Sequence, residues 1–286
     1  MRPTAPSAGP EGQRAWFDGE YGNHEQVTRK DASAVPRVRI VIAPLQKAGW
    51  YSWDIHMSAA SEFSATWALR SDKSANGSMV LTPFRPLVAA PGRAGDFDLD
   101  EWAALDACAL KGNTNAQGFE VKADPASCAI LIPGIGANAA LLPLEIAQQD
   151  ETLRVRLYSD QARGPDAGIE ARRLRWFSGW AAVNGSGQTA RVENDDWHVS
   201  RDIRIDNEGG KVALNWRDGA ASGYSLVLER MTYRDGDVPV LKLSIVEDAS
   251  GRSVAYAWAN PEANRIGINL GWIQVGLEAD GLRSRQ

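Results

Sequence analysis

Alternation of apolar and polar residues, the pattern of half-buried β-strands, dominates this chain. Its clearest example is the stretch Gly49–Met57. Four apolar side chains alternate there with three polar ones: Tyr51, Trp53, Ile55 and Met57 against Ser52, Asp54 and His56. The flanking stretches Val35–Leu45 and Phe63–Arg70 have the same two-residue period, so three consecutive strands are predicted.

The second half of the chain repeats this pattern at regular intervals. Seven further strands are predicted: Trp176–Val183, His198–Asp206, Lys211–Trp216, Tyr224–Tyr233, Val238–Glu247, Arg252–Trp258 and Ile266–Leu277. Asp-Gly and Gly-Gly pairs separate several of them, and such pairs supply the positive φ angles of tight hairpin turns. We therefore expect an up-and-down antiparallel sheet that is long enough to curl.

Only Asp98–Ala109 has the spacing of a helix, with Asp98 as its cap and Trp102 on its apolar side. The expected fold class is mainly β with few helices: a calycin or lipocalin-like antiparallel barrel, then a second antiparallel sheet or barrel. Residues 1–14, rich in Pro, Ala, Gly and Ser, are expected to form a flexible arm. The barrel is assigned to residues 15–170 and the second β domain to residues 171–286.

Net charge and the length of the apolar runs limit the binding partners and cellular locations that we expect. The formal net charge of −5 argues against nucleic-acid and anionic-membrane partners, because both require a concentrated basic face. No apolar run approaches the ~18 residues of a spanning helix, so no transmembrane segment is expected. The N-terminal residues lack the apolar segment of a signal peptide. The default location is therefore the cytoplasm, or the periplasm if a signal peptide has been removed.

Two cysteines, Cys108 and Cys128, leave two alternatives open: one disulfide closing a moderate loop, or two reduced thiols. A metal site is not expected, because the histidines lie far from both cysteines and from each other in sequence. Eleven Trp against six Phe is unusual. Such planar side chains line grooves or seal barrel ends, although Trp is most often ordinary core.

The candidate ligand site lies on the central predicted strands. If the sheet closes around a cavity, Asp54, His56 and Arg70 form a carboxylate, imidazole and guanidinium group that suits a ligand with carboxylates and N–H groups. Tyr51, Trp53 and Trp67 would stack on that ligand if they faced the cavity, and would otherwise be core. A solvated strand face with a routine ion pair is the alternative interpretation of the charged group.

The N-terminal half also contains three elements in a particular order: a Gly-x-Tyr-x-Asn-x-x-Gln motif, a Val- and Arg-rich strand leading to Pro-Leu, and two cysteines around an aromatic residue. They are formed by Gly19, Tyr21, Asn23 and Gln26, by Val38–Leu45, and by Cys108, Phe119 and Cys128. In this order they resemble the CpcT/CpeT family of phycobiliprotein chromophore lyases. The resemblance covers about residues 16–166.

This resemblance implies a calycin-type barrel, a homodimer, and binding of an open-chain tetrapyrrole (a bilin) that is delivered to a cysteine of an acceptor protein. The first functional hypothesis is therefore binding of a hydrophobic, carboxylate-bearing small molecule, with lyase or carrier activity. The second is a non-catalytic β-rich interaction or envelope protein with a vestigial pocket. A generic lipocalin-like carrier of fatty or aromatic ligands is the third.

Overall fold

The computed structural model describes residues 17–29, 35–58, 62–89, 91–92, 97–163, 168–190, 196–216, 218–233 and 238–280. The structure is mostly β, with 61% of residues in strands and 14% in helices, which confirms the expected fold class. The predicted flexible arm, residues 1–14, lies outside the described residues.

The chain divides into two compact units. The first, here called the barrel unit, contains the residues up to Tyr21 and Val38–Ala171. The second, called the sandwich unit, contains Gly22–Arg37 and Arg172–Gln286. The structure therefore places the main division one residue after 170, but it assigns an N-terminal segment to the C-terminal unit.

Eleven strands build the first sheet. They are β1 Gly19–Gly22, β2 Arg37–Pro44, β3 Trp50–Ser58, β4 Glu62–Lys73, β5 Ser78–Pro86, β6 Trp102–Ala104, β7 Leu110–Thr114, β8 Gly118–Lys122, β9 Pro143–Gln149, β10 Thr152–Leu157 and β11 Ile169–Arg173. Their order is β4-β3-β2-β1-β11-β10-β9-β8-β7-β5-β6, and β4 also pairs with β5. That additional pairing closes ten strands into an antiparallel barrel, with β6 attached outside the ring.

The barrel interior is lined by the apolar faces of the alternating strands. Trp53 on β3 and Phe119 on β8 lie on strands that are far apart in the sheet, yet both rings contact Phe17. These rings therefore face inward. Trp53 lies opposite Trp67 of β4, and the two side chains are 0% and 1% exposed. The predicted alternation of β3 is present in the structure, and its aromatic side faces the interior.

Helices are few and short: α1 His24–Thr28, α2 Pro125–Ala129 and α3 Ile132–Ile135. The predicted helix over Asp98–Ala109 is wrong. Asp98 does accept a hydrogen bond from the N–H of Asp100, but only one 3₁₀ turn follows before Trp102 adopts extended angles. Trp102 pairs with Pro86 and packs near Phe97, so tertiary burial of its indole overrides the helical spacing.

Eight strands build the sandwich unit. They are β12 Trp176–Asn184, β13 Trp197–Asp206, β14 Glu208–Asn215, β15 Ala221–Tyr233, β16 Val238–Glu247, β17 Arg252–Ala259, β18 Arg265–Asn269 and β19 Ile273–Ala279. They form two four-stranded sheets, ordered β13-β12-β19-β18 and β14-β15-β16-β17. Buried residues of both sheets, such as Phe177, Leu228 and Leu243, form one core.

The structure corrects two details of the predicted C-terminal strands. The stretch Ile266–Leu277 is not one strand, because the chain turns where the N–H of Leu270 donates to the carbonyl of Ile273. The strands also do not form one continuous up-and-down sheet. The last strand, β19, pairs with the first, β12, and this separates the eight strands into two layers.

Cys108 and Cys128 form a disulfide, with Cα atoms 4.4 Å apart. The bond connects the segment after β6 to helix α2, and both residues are fully buried. Of the two alternatives that the sequence left open, the structure shows the disulfide.

Candidate functional site

The charged group predicted on β3 and β4 does not come together. Asp54 lies opposite Thr66, whose hydroxyl donates to the Asp54 carboxylate at 2.6 Å. His56 lies opposite Ser64 and is exposed. Arg70 lies opposite Trp50, which is four residues before Asp54, so the two paired positions are about 13 Å apart along the strand.

Arg70, which lies far from Asp54, contacts two other side chains. Its Nε donates to Asp72 at 2.9 Å, and its guanidinium lies 5.7 Å from the Phe84 ring centroid. The polar face of β3 is also the face opposite to the interior. Trp50, which shares that face by alternation, packs in a separate cluster with Phe84 and Trp102. The alternative interpretation, a solvated strand face with a routine ion pair, fits His56, which is exposed, and Arg70, which pairs with Asp72, but it does not fit Asp54, which is only 8% exposed.

The three predicted aromatic residues do face the interior. Tyr51 is half-buried, and burial, together with the negative charge of Asp18, raises the pKa of its hydroxyl. The ring of Phe17 lies 5.4 Å from that of Tyr51, 5.9 Å from Trp53 and 5.3 Å from Phe119. Among the described residues, these side chains occupy the space in which the sequence interpretation placed a ligand.

Several polar atoms are buried within this apolar interior without a hydrogen-bond partner among the described residues: Trp53 Nε1, Trp67 Nε1 and Gln148 Oε1. The amide nitrogen of Gln148 donates to the hydroxyl of Tyr21 at 3.5 Å, and that hydroxyl donates to the carbonyl of Phe17 at 3.3 Å. A buried donor or acceptor without a partner costs about 1–3 kcal/mol. The interior thus contains an incomplete polar network.

The residues that carry the family resemblance make structural contacts. Gly19 has a φ of 146°, which favours glycine. Asn23 is buried, and its amide nitrogen donates to the carbonyl of Pro36 at 2.9 Å and to the side chain of Gln26 at 3.3 Å. Tyr21 and Phe119 are interior side chains of the barrel. This motif therefore fixes the chain where it enters and leaves α1.

Sequence patterns gave no indication of the most strongly charged buried site. We call it the α1 charge cluster. It consists of His24, Glu25, Arg172, Glu208, Glu229, Arg230 and Lys242, all in the sandwich unit. Two residues of helix α1 are bound there to residues about 150–200 positions later in the chain. Separations of that size leave no local pattern, which is why the cluster was missed.

Glu229 is ionised and is held by two basic side chains of the cluster. Its Oε2 lies 3.1 Å from Nε2 of His24, and its Oε1 accepts from Nζ of Lys242 at 2.9 Å. The hydrogen bond to His24 is the largest influence, and with the contacts to Lys242 it lowers the pKa of Glu229 to about 2. Because Glu229 lies on β15, this contact attaches the helix to the sheet.

Glu208 is the opposite case, although it lies directly across from Glu229 in the β14–β15 pairing. It is 3% exposed, accepts from the N–H of His24 at 3.2 Å, and its Oε1 has no partner among the described residues. Burial, followed by the negative charge of Glu25, raises the pKa of Glu208 to about 8. The carboxyl group is therefore largely protonated at neutral pH.

Two arginines complete the cluster. Nε of Arg172 donates to Glu25 at 2.8 Å, and Nε of Arg230 lies 3.5 Å from the same carboxylate oxygen. Arg230 also donates to Glu262 at 2.7 Å. Two carboxyl groups with opposed pKa values can serve acid–base chemistry. Here the side chains of His24 and Glu229 are only 12% and 16% exposed and are engaged in holding α1, which favours a structural role.

The outer face of the second sandwich sheet carries an exposed apolar surface, which we call the aromatic patch. It consists of Tyr233, Val238, Val254, Tyr256 and Trp258, which are between 36% and 58% exposed. Trp258 makes edge-to-face contacts with both tyrosines, with ring centroids 5.1 and 5.5 Å apart. These rings hold each other in place, so the patch is an ordered surface.

Neither a metal-binding cluster nor a membrane-spanning helix occurs among the described residues. No group of His, Cys, Asp or Glu side chains there is arranged to hold a metal ion. Within the same ranges, no helix has the length and apolarity needed to cross a membrane.

Comparison with known proteins does not assign this chain to a family. A scan against protein-family models finds no match, and a search of curated proteins finds no relative of significant similarity.

Proposed function

We propose that this chain is a non-catalytic interaction protein that binds another polypeptide through the aromatic patch. The observation that carries the proposal is the position of the patch next to a free strand edge. β17 carries Tyr256 and Trp258, lies at the end of its sheet, and pairs with β16 alone among the described strands. A long, apolar edge strand is a site at which another chain can add.

The other edges of the two sandwich sheets have features that discourage such pairing. β13 exposes Arg201 and Asp202, β14 exposes Lys211, and β18 is only five residues long. Charged side chains and short length are the usual protections of an edge. β17 has eight residues and no charged side chain after Arg252. The contrast within one unit supports a binding role for this edge.

The chemistry of the titratable groups supports the non-catalytic part of the proposal. The carboxyl groups with the most strongly shifted pKa values, Glu208 and Glu229, are buried against α1. In that position they contact helix α1 instead of meeting a substrate. The predicted group of Asp54, His56 and Arg70 is dispersed along two strands.

Affinity capture from extracts of the source cells tests this proposal. The full chain is compared with Tyr256→Ser, with Trp258→Ser, and with Trp180→Ser as a control, because Trp180 is a similarly exposed residue on the other sheet. We expect a polypeptide that wild type and Trp180→Ser enrich and that both patch variants lose. Equal enrichment by all four proteins would contradict the proposal.

We also propose a second candidate function, binding of a hydrophobic, carboxylate-bearing small molecule such as a bilin inside the barrel. The unpartnered N–H groups of Trp53 and Trp67 favour it, because a ligand oxygen could accept from them. Phe17 would have to leave the interior to make space. Delivery of a bound bilin to an acceptor cysteine is the lyase reaction that the family resemblance implies.

Titration with biliverdin and phycocyanobilin, followed by visible absorption and circular dichroism, tests this second candidate. We expect an induced signal that is stronger in Phe17→Ala, weaker in Trp53→Phe and unchanged in Trp180→Phe. If neither wild type nor Phe17→Ala produces an induced signal with either bilin, the bilin proposal is refuted. The same titration with a fatty acid, read by tryptophan fluorescence, covers the generic carrier.

A further inference from the structure

The residues around β17 indicate what its partner is. We infer that the partner is a second copy of this chain, and that the two copies pair their β17 strands antiparallel about a twofold axis. This inference rests on the proposed interaction function and deepens it by naming the occupant of the edge.

The sequence of β17 is suited to pairing with itself. Arg252 stands at its first position, and the seven residues from Ser253 to Ala259 are uncharged. When two such strands run antiparallel, each Arg252 lies at the outer end of the paired region, so no like charges oppose each other. In the central part, Val254, Tyr256 and Trp258 of one copy lie against the same residues of the other. Aromatic and β-branched residues are favourable cross-strand neighbours.

Charge also favours a neutral partner. The nearest charged side chains of the outer face, Lys242 and Glu229, are bound to each other at 2.9 Å. Lys242 additionally lies 5.8 Å from the Trp258 ring centroid. Among the described residues of the outer face, the two charges beside Trp258 are therefore paired with each other and select neither an acidic nor a basic partner, although the chain as a whole has a net charge of −5. A second copy presents the same neutral surface, so the two surfaces match.

The patch supplies about half of the area that a standard dimer interface buries. From their exposed fractions, the five side chains of the patch offer roughly 450 Å² per chain, given that a whole aromatic side chain covers about 150–250 Å². A standard interface buries about 800 Å² per partner. The exposed main chain of β17 and the half-buried neighbours Val240 and Val246 extend the surface towards that size. Twofold dimers of this kind are the commonest oligomers.

Sedimentation velocity of the full chain between about 1 and 100 μM tests the inference. We expect wild type to approach twice the chain mass of 31.0 kDa. We expect Tyr256→Lys to remain monomeric with an unchanged far-ultraviolet circular dichroism spectrum, and Trp180→Lys to behave as wild type. Hydrogen exchange supplies an independent measurement: the amides of residues 252–259 that do not bond to β16 should be protected at high protein concentration and exchange at least tenfold faster after dilution.

Each outcome bears on the inference. A wild type that stays monomeric at 100 μM overturns it, as does a dimer that Tyr256→Lys leaves intact. The proposed interaction function is judged separately by affinity capture. A monomeric protein that captures a different polypeptide in a Tyr256-dependent manner overturns the self-pairing and leaves the interaction function standing. A monomer that captures nothing overturns both.

Discussion

The α1 charge cluster leads to a specific prediction for how stability varies with pH. Glu208 has a pKa of about 8 in the folded chain against an ordinary value of 4.5. Between those pH values the unfolded chain releases a proton that the folded chain retains, so stability falls as the pH rises. At 1.36 kcal/mol per pKa unit, the loss is about 3 kcal/mol at pH 7 and about 4 kcal/mol at pH 8, and it levels off at about 5 kcal/mol above pH 8.

Glu229 gives the opposite dependence. Its pKa falls from 4.5 to about 2 on folding, so its contribution of about 3 kcal/mol is fully present above pH 4.5 and is lost as the pH falls towards 2. Together the two carboxyl groups predict that the sandwich unit is most stable near pH 4.5–5. Stability should decline on both sides of that range.

Guanidinium denaturation of wild type and two variants between pH 2.5 and 8.5, followed by tryptophan fluorescence, measures these contributions. Glu208→Gln should gain about 3 kcal/mol relative to wild type between pH 4.5 and pH 7, because the amide cannot ionise. Glu229→Gln should be destabilised above pH 4.5, and its difference from wild type should shrink as the pH falls to 2.5.

A control variant, Glu278→Gln, alters an ion pair with the exposed Arg265 and should change the pH profile little. If Glu208→Gln leaves the decline above pH 4.5 unchanged, then Glu208 is ionised in the folded protein. In that case the argument from burial is wrong.

Three further predictions concern the barrel unit. The double variant Cys108→Ser, Cys128→Ser should have a free energy of unfolding about 3 kcal/mol lower, because the disulfide closes a loop of 20 residues. Urea denaturation measures this loss, and an unchanged midpoint would contradict the prediction. In the same measurement, Trp53→Phe should lower the free energy of unfolding by less than about 1 kcal/mol, because the loss of apolar contacts is offset by removal of an unpartnered N–H. Trp53→Ala should lower it by about 3–5 kcal/mol. Thr66→Val should destabilise the barrel by about 1–3 kcal/mol, because the buried Asp54 carboxylate loses the hydrogen bond that the Thr66 hydroxyl donates. The control Ser64→Val, opposite the exposed His56, should have little effect.

The strand content could be predicted from the sequence because alternation is a local signal. The bounds of β3 and β16 follow directly from their two-residue period, and the turn residues mark most of the hairpins. Trp102 shows where local signals fail. Its spacing fits a helix, but its indole is buried in a cluster with Trp50 and Phe84, which lie on the earlier strands β3 and β5.

The candidate site was less predictable because it depends on register and closure. The alternation of β3 correctly separates Trp53 from Asp54, but it does not indicate which face meets the interior of a barrel. The position of Arg70 relative to Asp54 depends on how β3 pairs with β4, and sequence does not fix that register. The contact between His24 and Glu208 spans 184 residues, so no local pattern could indicate it.

The assignment of residues 22–37 to the sandwich unit has a consequence for biogenesis. During synthesis, α1 leaves the ribosome well before β14 and β15, the strands that supply its buried charge partners. Until β15 is made, His24 lacks its contact with Glu229 and Glu25 lacks its contact with Arg230, so α1 is not yet held in its folded position. A ribosome-bound fragment that stops at Ala171 should therefore be protease-sensitive around α1, and this sensitivity should disappear once the rest of the chain is synthesised.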